Sequence, residues 1–169
     1  VAELLAAIKA RNQSLVAEIR RLVYELRPPA LDELGLLGAL RAAASNPGAA
    51  PAIRISATPE PLPALPAAVE VAAYRIALEA LTNAVRHARA RRCELRLELA
   101  VDGIPGLRIT VADDGRGIDP DAIAGVGLRS MRERAEELGG SLMVTPAAEG
   151  GTLVRAWLPI AAPTEEERR

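Results

Sequence analysis

Glu79-Ala80-Leu81-Thr82-Asn83-Ala84-Val85-Arg86-His87-Ala88 closes a segment that reads as one helix from about Ala67 to Ala88. On a wheel of ~100° per residue, Val69, Ala73, Ile76 and Ala80 mark its apolar face. Asn83 and His87 fall within ~40° of Ile76, inside that face, and Glu79 lies at its edge one turn before Asn83. A carboxylate, an amide and an imidazole set into an apolar stripe need partners or a reason, because an unpaired buried polar group is costly. Two readings stay open: a satisfied polar network in the core, or a site. The second has a definite chemistry. An amide oxygen and a carboxylate on successive turns suit a hard cation such as Mg²⁺, which keeps waters and shares phosphate oxygens.

The sequence around this helix alternates as strands do. Residues 53–58 (Ile-Arg-Ile-Ser-Ala-Thr) read as one strand, followed by a Pro-rich stretch from Pro59 to Pro66 whose last proline fits the first turn of the helix. From Cys93 to Val101 the odd positions are apolar, while Glu94, Arg96 and Glu98 are charged, the mark of a half-buried strand. Leu107, Ile109 and Val111 carry a second strand after the turn at Asp102–Gly106. Residues 127–138 read as a helix closed by Gly139 and Gly140. Leu142–Thr145 and Thr152–Leu158 form a last hairpin across Glu149-Gly150-Gly151. The expected fold is α+β: a two-layer sandwich of a mixed, mainly antiparallel sheet and about three helices, preceded by a long N-terminal helix.

Two glycine clusters stand beside these elements. Asp113-Asp114-Gly115-Arg116-Gly117 directly follows a strand, where glycines let backbone approach a ligand and an acidic side chain can accept from an exocyclic amino group. Gly125-Val126-Gly127-Leu128 opens a helix, and the free N–H groups of a helix N-terminus favour an anion. Gly150-Gly151-Thr152 makes a third, weaker cluster. Each alone reads equally well as an ordinary turn.

Composition narrows the classes. Half of the 169 residues are hydrophobic and a quarter are charged, which excludes a disordered chain. With no Phe, one Trp and two Tyr, the core must be aliphatic. Arg and Lys total 21 against 22 Asp and Glu, so nucleic acid is not an expected partner. Cys93, the single cysteine, excludes an internal disulfide and any multi-Cys metal site, and fits a reducing cytosol. No apolar run reaches the ~20 residues of a membrane span, so no membrane contact is expected of this chain.

Residues 1–27 read as one helix. With Leu5, Asn12, Ile19 and Leu26 at heptad position a, Val1, Ile8, Leu15 and Leu22 fall at d, so only Asn12 interrupts an apolar seam. A homodimer through this helix is the expectation; packing on its own domain and fraying of an isolated helix are the alternatives. Pro28 and Pro29 end it, Leu31–Ala44 follows as a second helix, and Asn46-Pro47-Gly48 breaks the chain again. Because Val1 opens inside a helical pattern, the chain is expected to be a piece of a longer protein. The expected division is 1–45, 52–160 and a flexible tail at 161–169.

Taken in order and at these intervals, the motifs resemble the ATP-binding catalytic domain of two-component sensor histidine kinases, in the gyrase-type (Bergerat) ATPase superfamily. Glu79 through Ala88 looks like the N box of that family. Asp113, Gly115 and Gly117 are similar to its first glycine box, Gly125, Gly127 and Leu128 to its second, and Gly151-Thr152 to its closing motif. The likeness covers about residues 52–160. Glu18-Ile-Arg-Arg-Leu-Val-Tyr-Glu-Leu-Arg-Pro-Pro-Ala-Leu-Asp-Glu-Leu-Gly35-Leu resembles the second helix of the dimerisation and phosphoacceptor region in the nitrate-sensor type.

The resemblance implies ATP and Mg²⁺ as cofactors. Asp113 would accept from the adenine amino group, Asn83 would coordinate the metal, and Glu79 would orient or polarise the attacking group. Arg86 and His87 would lie near the phosphates. Gly115, Gly117, Ile118, Gly125, Val126, Gly127, Leu128 and Thr152 complete the implied binding set. The implied partners are an acceptor-histidine helix of the parent kinase and a response regulator, in the cytoplasm, with a parent that could be membrane-anchored. The sequence departs from the family pattern in three ways: the acceptor helix is missing, no Phe supplies a phenylalanine box, and only Ile118–Ala124 separates the two glycine boxes. An anti-sigma-factor-type serine kinase shares the nucleotide fold but needs no heptad helix. A non-catalytic dimerising module is the other rival, and intact Glu79, Asn83 and Asp113 speak against it.

Overall fold

The computed structural model describes residues 27–45, 51–100, 104–117, 125–148 and 150–160. The heptad segment, most of the interval between the two glycine boxes, and the tail lie outside the described residues.

Among the described residues, three helices cover one face of a five-stranded sheet. In chain order the elements are α1 (Pro29–Ala44), β1 (Ala52–Thr58), α2 (Ala67–Arg86), β2 (Arg92–Ala100), β3 (Gly106–Asp113), α3 (Val126–Glu137), β4 (Ser141–Pro146) and β5 (Thr152–Pro159). Strand order is β1-β2-β3-β5-β4. β1 and β2 are parallel, with α2 as the crossover between them, and the other pairs are antiparallel. The expected mixed, mainly antiparallel α+β sandwich is the fold observed.

Alternation decides which side chains face the helices. Cys93, Leu95 and Leu97 of β2 stand opposite Asp113, Val111 and Ile109 of β3. Val111, Ile109 and Leu107 in turn stand opposite Val154, Ala156 and Leu158 of β5. These apolar side chains and Ile76, Ala73 and Ala77 of α2 form one cluster. Full burial of each Leu or Ile stabilises by about 1.5–3 kcal/mol. The opposite sheet face is polar, with exposed Arg54, Arg96, Arg108 and Arg155, and Arg96 pairs with Glu94 at 2.7 Å.

α1 belongs to the same cluster through Leu31, Leu36, Ala39 and Leu40, and it packs on α2 and β1. It starts two residues earlier than the sequence suggests, because Pro29 takes a first-turn position where a missing N–H is harmless. Gly35, at φ 65°, breaks the helix internally; a side chain there would be strained. Just before it, Arg27 bridges Asp32 at 2.5 Å and Glu70 in the first turn of α2 at 2.8 Å. α3 ends in a Schellman pattern: Gly139 N–H donates to Glu136 O and Gly140 N–H to Ala135 O, each at 2.8 Å.

Candidate functional site

The inner face of the sheet stays apolar up to Val111 and Val154, then turns polar. One register step further stand Asp113 on β3 and Thr152 on β5, both buried. The apolar face of α2 changes character at the same level, passing from Ile76 and Ala80 to Asn83 and His87. Between them opens a cavity of about 800 Å³. Its walls are Glu79, Ala80, Asn83, His87 and Ala88 from α2 and its end, Val111, Asp113, Arg116 and Gly117 from β3 and the turn after it, Gly125–Leu128 from the start of α3, and Thr152 and Val154 from β5.

Glu79, Asn83, His87, Asp113, Gly117, Gly125, Val126, Gly127, Leu128 and Thr152 line this one cavity together. Other expectations need correction. Glu79, Asn83 and His87 are not buried in a core network: Glu79 and Asn83 are half-buried and His87 is exposed. The helix face they occupy looks into the cavity, where no strand among the described residues covers it. α2 also stops at Arg86 rather than Ala88; His87 caps it, with the N–H groups of His87 and Ala88 both donating to Asn83 O. The Ala88 carbonyl is thereby free to accept from Arg116 N–H at 2.8 Å, tying the helix end to the turn after β3. Arg86 is exposed and stands outside the cavity wall. Ile118 lies outside the described residues.

Gly115 serves the site without lining it. A β-carbon there would stand 2.6 Å from Ala88 Cβ and 2.8 Å from its carbonyl carbon, so only glycine lets the turn close on the end of α2. Its N–H donates to Asp113 Oδ1 at 2.8 Å and fixes that carboxylate. Asp114 fastens the turn from the other side, accepting from Arg91 N–H at 2.7 Å and Arg92 N–H at 2.8 Å. These bonds from the Arg92 and Arg91 backbone hold its carboxyl below the usual carboxylate range. Gly151, at φ 87°, packs on this turn so closely that a β-carbon would collide with the Asp113 carbonyl. At the opposite wall, a β-carbon on Gly127 would collide with Glu79 Oε1. In the sequence Arg116 is only a charged residue between glycines; the closing of the turn on Ala88 puts it in the wall.

The family model described as "Histidine kinase-, DNA gyrase B-, and HSP90-like ATPase" matches residues 68–162, more than half of the chain. The chain belongs to this ATPase family. It is 37% identical over 156 residues to sensor histidine kinase MctS of Rhizobium johnstonii, covering 87% of this chain and 32% of that protein. It is 33% identical over 151 residues to oxygen sensor histidine kinase NreB of Staphylococcus carnosus, covering 86% and 42%. The chain thus spans less than half the length of these curated relatives. Among solved structures it is similar to the histidine kinase domain of the blue-light activated kinase EL346 of Erythrobacter litoralis, with TM-score 0.56, 29% identity and coverage of 73% and 57%. The ATP binding domain of PrrB from Mycobacterium tuberculosis shares the fold, with TM-score 0.54 at 21% identity and coverage of 76% and 94%. No helix among the described residues is long and apolar enough to cross a membrane.

Proposed function

We propose that the cavity binds ATP with Mg²⁺, and that the chain is the cytoplasmic, nucleotide-binding catalytic part of a sensor histidine kinase of the nitrate-sensor type. The observation that carries this reading is the convergence of Asp113, Asn83, Glu79 and the first turn of α3 on one cavity. Asp113 is held by Gly115 N–H through one oxygen, and the other accepts from the adenine amino group. Val111, Ala80, Ala88 and Val154 supply apolar walls for the base. The N–H groups at the start of α3 face the phosphates, where a helix N-terminus favours negative charge.

Glu79 and Asn83 offer hard oxygen donors one turn apart, and no cluster of three or more acidic, His or Cys ligands is present among the described residues. That donor set suits a metal held partly by phosphate and water oxygens. Mg²⁺, when bound, neutralises phosphate charge. Asn83 would hold it through its amide oxygen, while Glu79 orients the attacking nitrogen. Phosphoryl transfer depends mainly on such positioning and charge compensation.

His87, the only histidine, caps α2 at the nucleotide cavity, so the acceptor is read as a histidine of another segment or chain. From there the phosphoryl group passes to a response-regulator aspartate, and residues 1–45 are read as part of the dimerisation region. Calorimetric titration tests the nucleotide reading. ATP should bind with a Kd on the order of micromolar or weaker, and more tightly with Mg²⁺. Asp113→Ala should weaken ATP by about 10–100-fold, the loss of a charge-assisted hydrogen bond. Unaltered ATP binding in that variant removes the adenine assignment.

A further inference from the structure

The two glycines of Gly125-Val126-Gly127 are not equivalent. Gly125 is the N-cap of α3 at φ −60° and ψ 166°, and a β-carbon there would meet nothing within 4 Å. Gly127 sits inside the first turn, and a β-carbon there would collide with Glu79 Oε1 and stand 3.0 Å from its Cδ. Neither glycine has a positive φ, so the backbone conformation requires glycine at neither place. The missing β-carbon of Gly127 leaves a seat, and the Glu79 carboxylate occupies it.

We propose that Gly127 is a positioning residue for Glu79: the empty space at its α-carbon seats the carboxylate against the first turn of α3. The inference deepens the nucleotide-site reading and rests on it. An α-helix N-terminus carries partial positive charge, so a carboxylate resting there at the cavity wall is electrostatically settled. A methyl group at position 127 must displace it. Because Oε1 is the end of a flexible side chain, the helix can stay in place while the carboxylate swings toward Asn83, adding negative charge where the triphosphate enters. Gly127 thus makes the start of α3 and the acidic side chain of α2 one unit: a shift of the helix start carries the seat of the carboxylate with it.

A double-mutant cycle with Gly127→Ala and Glu79→Asp tests this, since the aspartate is one methylene shorter and withdraws from the new methyl group. Gly127→Ala alone should weaken Mg²⁺-ATP about 10-fold. The double variant should return to within about 2-fold of Glu79→Asp alone, the non-additivity expected of groups in contact. Additive losses overturn the proposal, because they mean that the methyl group bars the phosphates directly. The melting temperatures of the same four proteins without nucleotide form a second cycle. Gly127→Ala should cost less in the Glu79→Asp background than in the wild type, and equal costs also overturn the proposal. Should wild-type protein fail to bind Mg²⁺-ATP at all, the nucleotide reading falls, while the melting cycle still decides whether Gly127 seats Glu79.

Discussion

The two ends of the cavity are built differently. At the Asp113 end, backbone meets backbone: Gly115 closes on Ala88, Gly151 on Asp113, and Gly117 within 3.2 Å of the Gly151 carbonyl measured from an added β-carbon. At the α3 end, a flexible side chain meets a glycine, and Gly125 borders open space. Backbone contacts of that closeness fix the Asp113 end before a ligand arrives. The α3 end keeps room to adjust, and it adjoins residues 118–124, outside the described residues. On the proposed reading, with the base at the Asp113 end and the phosphates at the α3 end, shape is preset where the ligand is constant and adjustable where it changes.

The sharpest way to break the comparison is Gly151→Ala. The substitution combines a left-handed conformation with a backbone collision, so unfolding free energy should fall by about 3 kcal/mol or more. Chemical denaturation measures it, and a loss under about 1 kcal/mol would mean that the Asp113 end is not rigid.

A smaller effect is expected from Asp114→Asn, which weakens the clasp on the Arg91 and Arg92 N–H groups. The folded-state carboxyl of Asp114 is depressed, so its stabilisation is present above the unfolded-state value of about 3.9 and is lost as pH falls through the folded-state value. The melting-temperature gap between wild type and variant should therefore be full at neutral pH and close below about pH 4. A gap independent of pH assigns the clasp to something other than carboxylate charge.

Gly125→Ala should change least. The N-cap conformation suits alanine, the surroundings are open, and the entropic gain offsets the poorer cap, so stability should stay within about 0.5 kcal/mol of wild type. A large loss would show that the α3 end is as tightly built as the other.

Much of this was readable in advance, for identifiable reasons. Alternation from Cys93 onward located β2, because one sheet face is buried and the other is solvated. The Glu79–His87 spacing and parts of the glycine clusters (Asp113, Gly117, Gly125 to Leu128, Thr152) mark residues that line the cavity, since each is local in sequence. What escaped is long-range. The burial of Asn83 and His87 was overestimated because a helical wheel does not reveal where the opposing sheet ends. Nor does it reveal that α2 unwinds so that Ala88 O can accept from Arg116, the contact that brings Arg116 into the wall and ends the helix short. Gly35 lies in a helical pattern that gives no sign of its φ of 65°. The nearness of Glu79 to Gly127, 48 positions apart, follows only from the packing of α2 on α3.

Cys93 lies on β2 directly opposite Asp113, and it is 2% exposed. Burial first, then the negative charges of Asp113, Asp114 and Glu94, push its thiol up to about 12. Only the thiolate reacts with alkylating reagents, so in the closed protein this thiol is almost inert at neutral pH. It would react on a parting of β2 and β3, and such a parting would dismantle the Asp113 wall. Alkylation of this one thiol should therefore act as a chemical clock, its rate counting openings of the strand pair behind the cavity. A ligand that rests on Asp113 slows that clock in proportion to its occupancy, without a label or an engineered residue.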